Sequence, residues 1–152
     1  MISVAGARRH AESLTGGALA SALVDIPGSS KAFRGGVVAY ATELKATLLG
    51  VDRAGLDSAG PVRAEVALAM ARGVRDRLGS TYGLATTGVA GPDPADGVAP
   101  GTAFVAVSGP DAGADMALAL AVLGGRDRVR RMVVIHALDL LRRTLLGLEQ
   151  PV

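Results

Sequence analysis

The sequence predicts a three-layer α/β/α domain, one sheet with helices on both of its faces. Three observations point there. The chain has 152 residues, the size of a single domain that buries roughly 68–70% of its unfolded surface. Strand-like stretches alternate with stretches of helical periodicity along residues 1–152, the order that a layered sheet requires. Aromatic residues make up only 3% and Trp is absent, so the core has to be built from Ala, Val and Leu.

Each element has its own signal. Thr15 to Leu23 reads as a short helix ending before Asp25-Ile26-Pro27-Gly28, a turn signature. RGGVVAYA, residues 34–41, has a β-branched centre and reads as a strand entered through two glycines. Thr42 to Leu49 continues as a helix stopped at Gly50. Val62 to Leu78 is a longer helix, with Val62, Val66, Met70, Val74 and Leu78 at helical spacing and charges between them. YGLATTGVAGP (82–92) is an apolar run that breaks into a Gly-Pro loop, and TAFVAV (102–107) is another strand. MALALAVL (116–123) fits either period; its length and position make it a strand. Val129 to Leu146 is a final helix dense in arginine.

Composition excludes several functions. Hydrophobic residues are 49% and charged ones 20%, ordinary for a folded domain. A net charge of +2 gives no basic face for nucleic acid, and stacking aromatics are missing. Cysteine is absent, which removes disulfides and thiolate metal sites and suits a reducing cytoplasm. Arg8, Arg9 and His10 interrupt the first apolar residues, so no signal peptide is read, and a long uncharged stretch such as Gly97 to Pro110 is too short and too rich in Gly and Pro for a membrane span.

The stretch AESLTGG (11–17) carries an acid, two hydroxyls and two glycines just before a helical pattern. In open α/β sheets ligands sit beyond the carboxyl ends of strands. Two polar loops leave such ends here, Glu12 to Gly17 and Thr86 to Pro92. A helix beginning near Thr15 would present unpaired amides to an anion, and the glycines would let a ligand come close. The plainer reading makes Ser13 or Thr15 an N-cap. The stretch matches neither the P-loop nor the G-x-G-x-x-G pattern.

Four further stretches follow in order: IPGSSKAFRGGVVAY, LKATLLGV, TTGVAGP and PGT. Together with AESLTGG they make the chain resemble the carboxy-terminal domain of the CinA (competence/damage-inducible) family, from about His10 to Leu141. Stand-alone members of that family resemble nicotinamide-mononucleotide deamidases. The resemblance implies hydrolysis of the nicotinamide amide in the mononucleotide, with release of ammonia and nicotinate mononucleotide, in pyridine-nucleotide salvage. It implies no metal or organic cofactor.

Amide hydrolysis requires a nucleophile, a proton acceptor and an oxyanion cradle. Histidine is a poor base here: His10 adjoins two arginines, and His136 lies on the apolar stripe Val129, Met132, Val133, Ala137, Leu140, as a core-edge residue does. A serine can instead be activated by a neutral lysine. Lys31 and Lys45 are the only lysines among 16 basic side chains. Lowering a lysine by ~3 pKa units costs about 4 kcal/mol, so its site should be enclosed or near another cation.

Carried over from the resemblance, Ser13 is the nucleophile, Lys45 its activator, and Tyr40 orients the lysine or shuttles the proton. Ser30 and Thr87 contact the nucleotide or the oxyanion, the amides of Thr15, Gly16, Gly17, Gly88 and Ala90 supply anion donors, and Arg126 or Arg130 reaches the phosphate. For each there is a structural alternative: a half-buried strand tyrosine, a turn serine, loop glycines, solvated arginines.

The chain also departs from the family pattern. ARRHAES is a poor strand by pattern, with only a dozen residues before Ser13, so either the start is truncated or the first strand is irregular. Leu14 stands where the family often has cysteine, Arg63 and Ala64 replace a helix-starting Ser-Glu, and the loop DPADGVAP lacks the family's glycine pair and lysine. Two functions are therefore carried forward: the amidohydrolase, and a nucleotide- or partner-binding module that has kept the pocket and lost turnover. The expected partner is a small nucleotide, with no nucleic acid and no membrane. The resemblance, with the Ala/Leu-rich surface and helix 129–146, points to a homodimer.

Overall fold

The computed structural model describes residues 8–148. Its elements are β1 (Arg8–Glu12), α1 (Ala18–Val24), β2 (Phe33–Val38), α2 (Thr42–Leu49), α3 (Arg53–Ala59), α4 (Ala64–Leu78), β3 (Tyr82–Gly88), β4 (Thr102–Ser108), β5 (Met116–Ala121) and α5 (Arg126–Leu146). One five-stranded sheet runs in the order β2-β1-β3-β4-β5. β1 pairs parallel with β2 (Ala11 opposite Val37) and with β3 (Ala11 opposite Ala85), while β4 pairs antiparallel with both β3 and β5.

Alternation along the strands divides the core in two. Leu84, Val105 and Val107 pack against Leu19 of α1 and against Val129, Val133, Ala137 and Leu140 of α5. On the other face Ala11, Ala85 and Ala106 lie under Val66, Met70, Ala71 and Val74 of α4, with Leu49 and Leu56 from α2 and α3. The expected three layers are present. The α4 face is built from small residues because the helix lies close to the sheet: a Cβ on Gly83 would stand 2.0 Å from the Ala71 carbonyl oxygen.

Element ends differ from the pattern for local reasons. The helix expected from Thr15 begins at Ala18, since Gly16 and Gly17 take φ of 58° and 99°, left-handed values that end a helix. α5 starts a turn earlier than its apolar stripe, through the charged residues Arg126 to Arg128. α3 had no counterpart in the sequence reading; Asp52 caps it by accepting the Gly55 amide at 2.7 Å. The unpromising ARRHAES does contain a strand, and an interior one paired on both sides.

β1, β2 and β3 are parallel, so their carboxyl ends meet at one edge. Ser13, Ala39–Tyr40 and Val89–Ala90 follow those three ends directly. The Ser13 amide donates to the Thr86 carbonyl at 3.1 Å and the Ala39 amide to that of Glu12 at 2.8 Å, so pairing continues past the strands and locks the three ends together.

The α5 layer is well enough packed for a truncation within it to be costly. Leu140→Ala, at a position 1% exposed, should lower the unfolding free energy by about 2–5 kcal/mol with an unchanged m-value in urea titration.

Candidate active site

Lys45 projects from α2 into the strand-end edge and is 1% exposed. Its Nζ lies 3.2 Å from Ser13 Oγ, 2.9 Å from the Ala39 carbonyl oxygen and 3.4 Å from that of Tyr40. Carbonyls only accept, so two amine hydrogens belong to them. A neutral amine then has its lone pair left for the Ser13 hydroxyl, whereas an ammonium fills that position with a third hydrogen. Burial pushes the Lys45 amine below its ordinary range, and the Glu43 and Asp96 carboxylates offset part of that shift. Of the two conditions expected for such a lysine, enclosure is the one met. A serine hydroxyl against a buried amine of lowered pKa is the arrangement in which the amine can take the hydroxyl proton.

The pair opens on a cleft of about 220 Å³. Ser13, Tyr40, Lys45, Thr87, Gly88, Ala90 and Arg126 all line it, together with Pro61, Val62, Asp93 and Asp96. The Val89 amide bonds the Thr102 carbonyl at 2.9 Å. Amides alternate sides along a strand, so the Gly88 N–H is aimed away from β4, toward the end of β1 where Ser13 stands.

The other expected residues lie elsewhere. Two of the three amides expected to cradle an anion at the start of α1, those of Gly16 and Gly17, are taken up within the chain. Glu12, fully buried, accepts the amides of Gly17 at 2.9 Å, Leu19 at 3.1 Å and Ala20 at 2.9 Å. The Gly16 amide donates to the Ser13 carbonyl at 3.0 Å. Thr15 is not the helix cap: Gly17 holds that position without a side-chain bond, and Thr15 Oγ1 pairs with Thr86 Oγ1 at 2.9 Å in the interior. Arg130 does not face the cleft either; its Nε and Nη2 donate to the carbonyls of Leu14 (3.2 Å) and Thr15 (2.8 Å) and clamp the turn from α5.

Ser30 sits exposed on the 3₁₀ turn Ser29–Lys31, ahead of β2. The cleft is at the far end of that strand, about 20 Å away at ~3.3 Å per residue. The Thr87 hydroxyl donates to the Pro61 carbonyl at 2.9 Å and fastens the loop before α4. Tyr40 offers Lys45 its backbone carbonyl, while its hydroxyl accepts from Arg126 Nη2 at 3.0 Å; Arg126 Nη1 holds the Gly91 carbonyl at 3.0 Å. His136 is half-buried on α5, as its stripe suggested.

The CinA C-terminal domain family matches residues 9–145. The chain belongs to the CinA C-terminal domain family. A CinA-like protein of Frankia casuarinae is 54% identical over 138 residues, covering 91% of this chain and 31% of its own length. One of Gloeobacter violaceus is 48% identical over 140 residues, covering 91% and 33%. The chain thus spans about a third of the length of these relatives. The crystal structure of a CinA superfamily protein from Escherichia coli superposes with a TM-score of 0.85 at 30% identity, covering 90% of this chain and 79% of that one. A competence/damage-inducible protein from Agrobacterium tumefaciens gives 0.83 at 31%, covering 91% and 84%. Among the described residues of this CinA domain no helix is long and apolar enough to cross a membrane, and no group of three or more His, Cys, Asp or Glu is placed to hold a metal.

Sequence reasoning missed Glu12 and His10. His10 Nε2 donates to Glu12 Oε1 at 2.9 Å from a ring that is 1% exposed. The available signal was an acid immediately before a helix start, where the helix dipole favours negative charge. Burial alone would raise the Glu12 carboxyl. Hydrogen bonds from His10, from Thr15 and from the Ala20 and Leu19 amides outweigh it and hold the group at about 2. A carboxyl lowered on folding adds stability above its unfolded pKa and loses it as pH falls toward the folded value. Between about pH 5 and pH 2 the unfolding free energy of the wild type should therefore fall by on the order of 3 kcal/mol more than that of Glu12→Gln. Urea unfolding across that range measures the difference.

Proposed function

We propose that this CinA domain is an amidohydrolase that converts nicotinamide mononucleotide to nicotinate mononucleotide and ammonia, with Ser13 as nucleophile and Lys45 as its base. The observation that carries the reading is the 3.2 Å contact of the buried Lys45 Nζ with Ser13 Oγ at the rim of a cleft. The substrate rests on the family resemblance; the chemistry rests on the residues. Ser13 Oγ attacks the carboxamide carbon while its proton passes to Lys45. The oxyanion is received by donors at the β3 end, with the Gly88 amide aimed correctly. Lys45 then protonates the departing nitrogen, ammonia leaves, and an ester joins Ser13 to the nicotinoyl group. Water, deprotonated by Lys45, hydrolyses that ester and regenerates both residues. The self-occupied start of α1 leaves Arg126, which lines the cleft, as the cation for the phosphate. A cytoplasmic enzyme of pyridine-nucleotide salvage is the setting this proposal implies.

One observation favours the alternative of a binding module without turnover. The altered loop brings Asp93 and Asp96 to the cleft wall, where carboxylates oppose a phosphate. Ammonia release by purified protein decides between the two.

In that assay Ser13→Ala should lose about 10³-fold or more in kcat and change folding stability by about 1 kcal/mol or less. Lys45→Met should lose a comparable factor, Lys45→Arg should not restore it, and the double variant should be scarcely worse than either single one. Full activity in Ser13→Ala, or losses that multiply, would remove the nucleophile–base pair. The wild-type rate should rise with pH to an inflection below the ordinary lysine value of about 10.4, since burial favours the neutral amine. Arg126→Gln should raise KM for the mononucleotide by about 10-fold while leaving KM for the riboside little changed, as expected for loss of a charge-assisted contact to phosphate.

A further inference from the structure

We infer that Glu12, steadied by His10, is the positioning residue of the Ser13 turn; the inference rests on the reading of Ser13 as nucleophile. Glu12 precedes Ser13 in the chain, is wholly buried and lies outside the cleft lining, so it touches no reacting atom. Its Oε2 accepts from the Gly17 and Leu19 amides and its Oε1 from the Ala20 amide and His10 Nε2, all within 2.9–3.1 Å. A carboxylate has about four acceptor positions, and the three amides and His10 Nε2 take them up, with the Thr15 hydroxyl adding to the same stabilisation. The carboxylate therefore ties the last residue of β1 to the first turn of α1, and residues 13–16 are the short loop between the two anchors.

His10 fixes the carboxylate in turn. Its ring is stacked on Phe33 with centroids 5.2 Å apart, and it lies over Gly36 of β2 so closely that a Cβ there would stand 2.1 Å from the ring. The second glycine of the RGG stretch is thus room for His10 rather than for a ligand. From the opposite side Arg130 holds the carbonyls of Leu14 and Thr15. Ser13 must meet an amine delivered by a separate helix, and a displacement of about 1 Å in such a pair can cost about 10²-fold in rate.

Glutamine has the shape of glutamate but replaces one acceptor oxygen with a donor, which would face two other donors here. Glu12→Gln should therefore lower kcat for ammonia release from the mononucleotide about 10-fold or more, leave KM within about 3-fold, and keep the pH inflection of the wild type. Leu140→Ala, destabilised in the core away from the site, is the control for a merely structural loss; measured well below its melting temperature it should keep its kcat. His10→Gln retains a donor where Nε2 stands and should keep kcat within about 3-fold, whereas His10→Leu and Gly36→Ala should lose about as much as Glu12→Gln. These variants serve if Glu12→Gln does not fold.

Two readouts need no substrate. Hydrogen exchange at the amides of Gly17, Leu19 and Ala20 should quicken in Glu12→Gln and not in Leu140→Ala. Modification of Ser13 by phenylmethanesulfonyl fluoride, followed by mass, should slow in Glu12→Gln. Unchanged exchange, a kcat no lower than that of Leu140→Ala, or equal activity in His10→Gln and His10→Leu would overturn the inference. A wild type that releases no ammonia, with exchange raised and Ser13 modification slowed in Glu12→Gln, would sink the substrate reading alone.

Discussion

A buried negative charge on an interior strand, β1, organises this domain. An ion taken out of water costs several kcal/mol unless its partners are arranged around it, and Glu12 has no exposed surface. The compensation shapes its surroundings. Three amides of α1 turn toward the carboxylate, which sets where that helix begins. Gly16 and Gly17 adopt left-handed backbone to bring the chain around, and His10 takes space that only a glycine at 36 can leave. At the carboxyl end of this polar strand, Glu12 is accommodated inside the sheet because His10 Nε2 and the amides at the helix start satisfy its carboxylate.

Lys45 is the second buried charged side chain at the same edge, and its environment is the reverse. Glu12 is surrounded by donors that favour its ionised form, while Lys45 is given two carbonyls and a hydroxyl and no close carboxylate. Burial then favours the neutral amine, against the weaker pull of Glu43 and Asp96. Two titratable groups flanking Ser13, Glu12 next to it in the chain and Lys45 in contact with it, are thus driven in opposite directions by solvation and hydrogen bonding.

The parallel pairing of β1, β2 and β3 brings the pair together. Each strand ends at the same edge and contributes one part: Ser13 after β1, the carbonyls that hold Lys45 after β2, and the Gly88–Ala90 wall at β3. The loop that follows carries this chain's own acids, Asp93 and Asp96, to the mouth. The family match spans residues 9–145, nearly all of this scaffold. The proposed preference for a nucleotide phosphate therefore falls on Arg126, since the helix start that would ordinarily draw an anion is occupied from within.

The layered α/β class, the short core side chains, the β2, β4 and β5 strands and the long α4 and α5 helices were legible in the sequence, because period and punctuation are local properties. The motif spacing also singled out Ser13 and Lys45, 32 residues apart in sequence and in contact in the structure. What it did not disclose was how polar groups would be paired. Arg130 and the amides of Gly16 and Gly17 resembled ligand contacts only while their partners were unknown; tertiary structure assigns them to the turn carbonyls, to Ser13 and to Glu12. Ser30 was drawn toward the cleft by its motif and set a strand's length away by the direction of β2. β1 itself was obscured because strand propensity counts Arg, His and Glu as exposed, and only the tertiary fold, which sets the amides at the start of α1 and His10 Nε2 against Glu12, offsets the burial of that carboxylate.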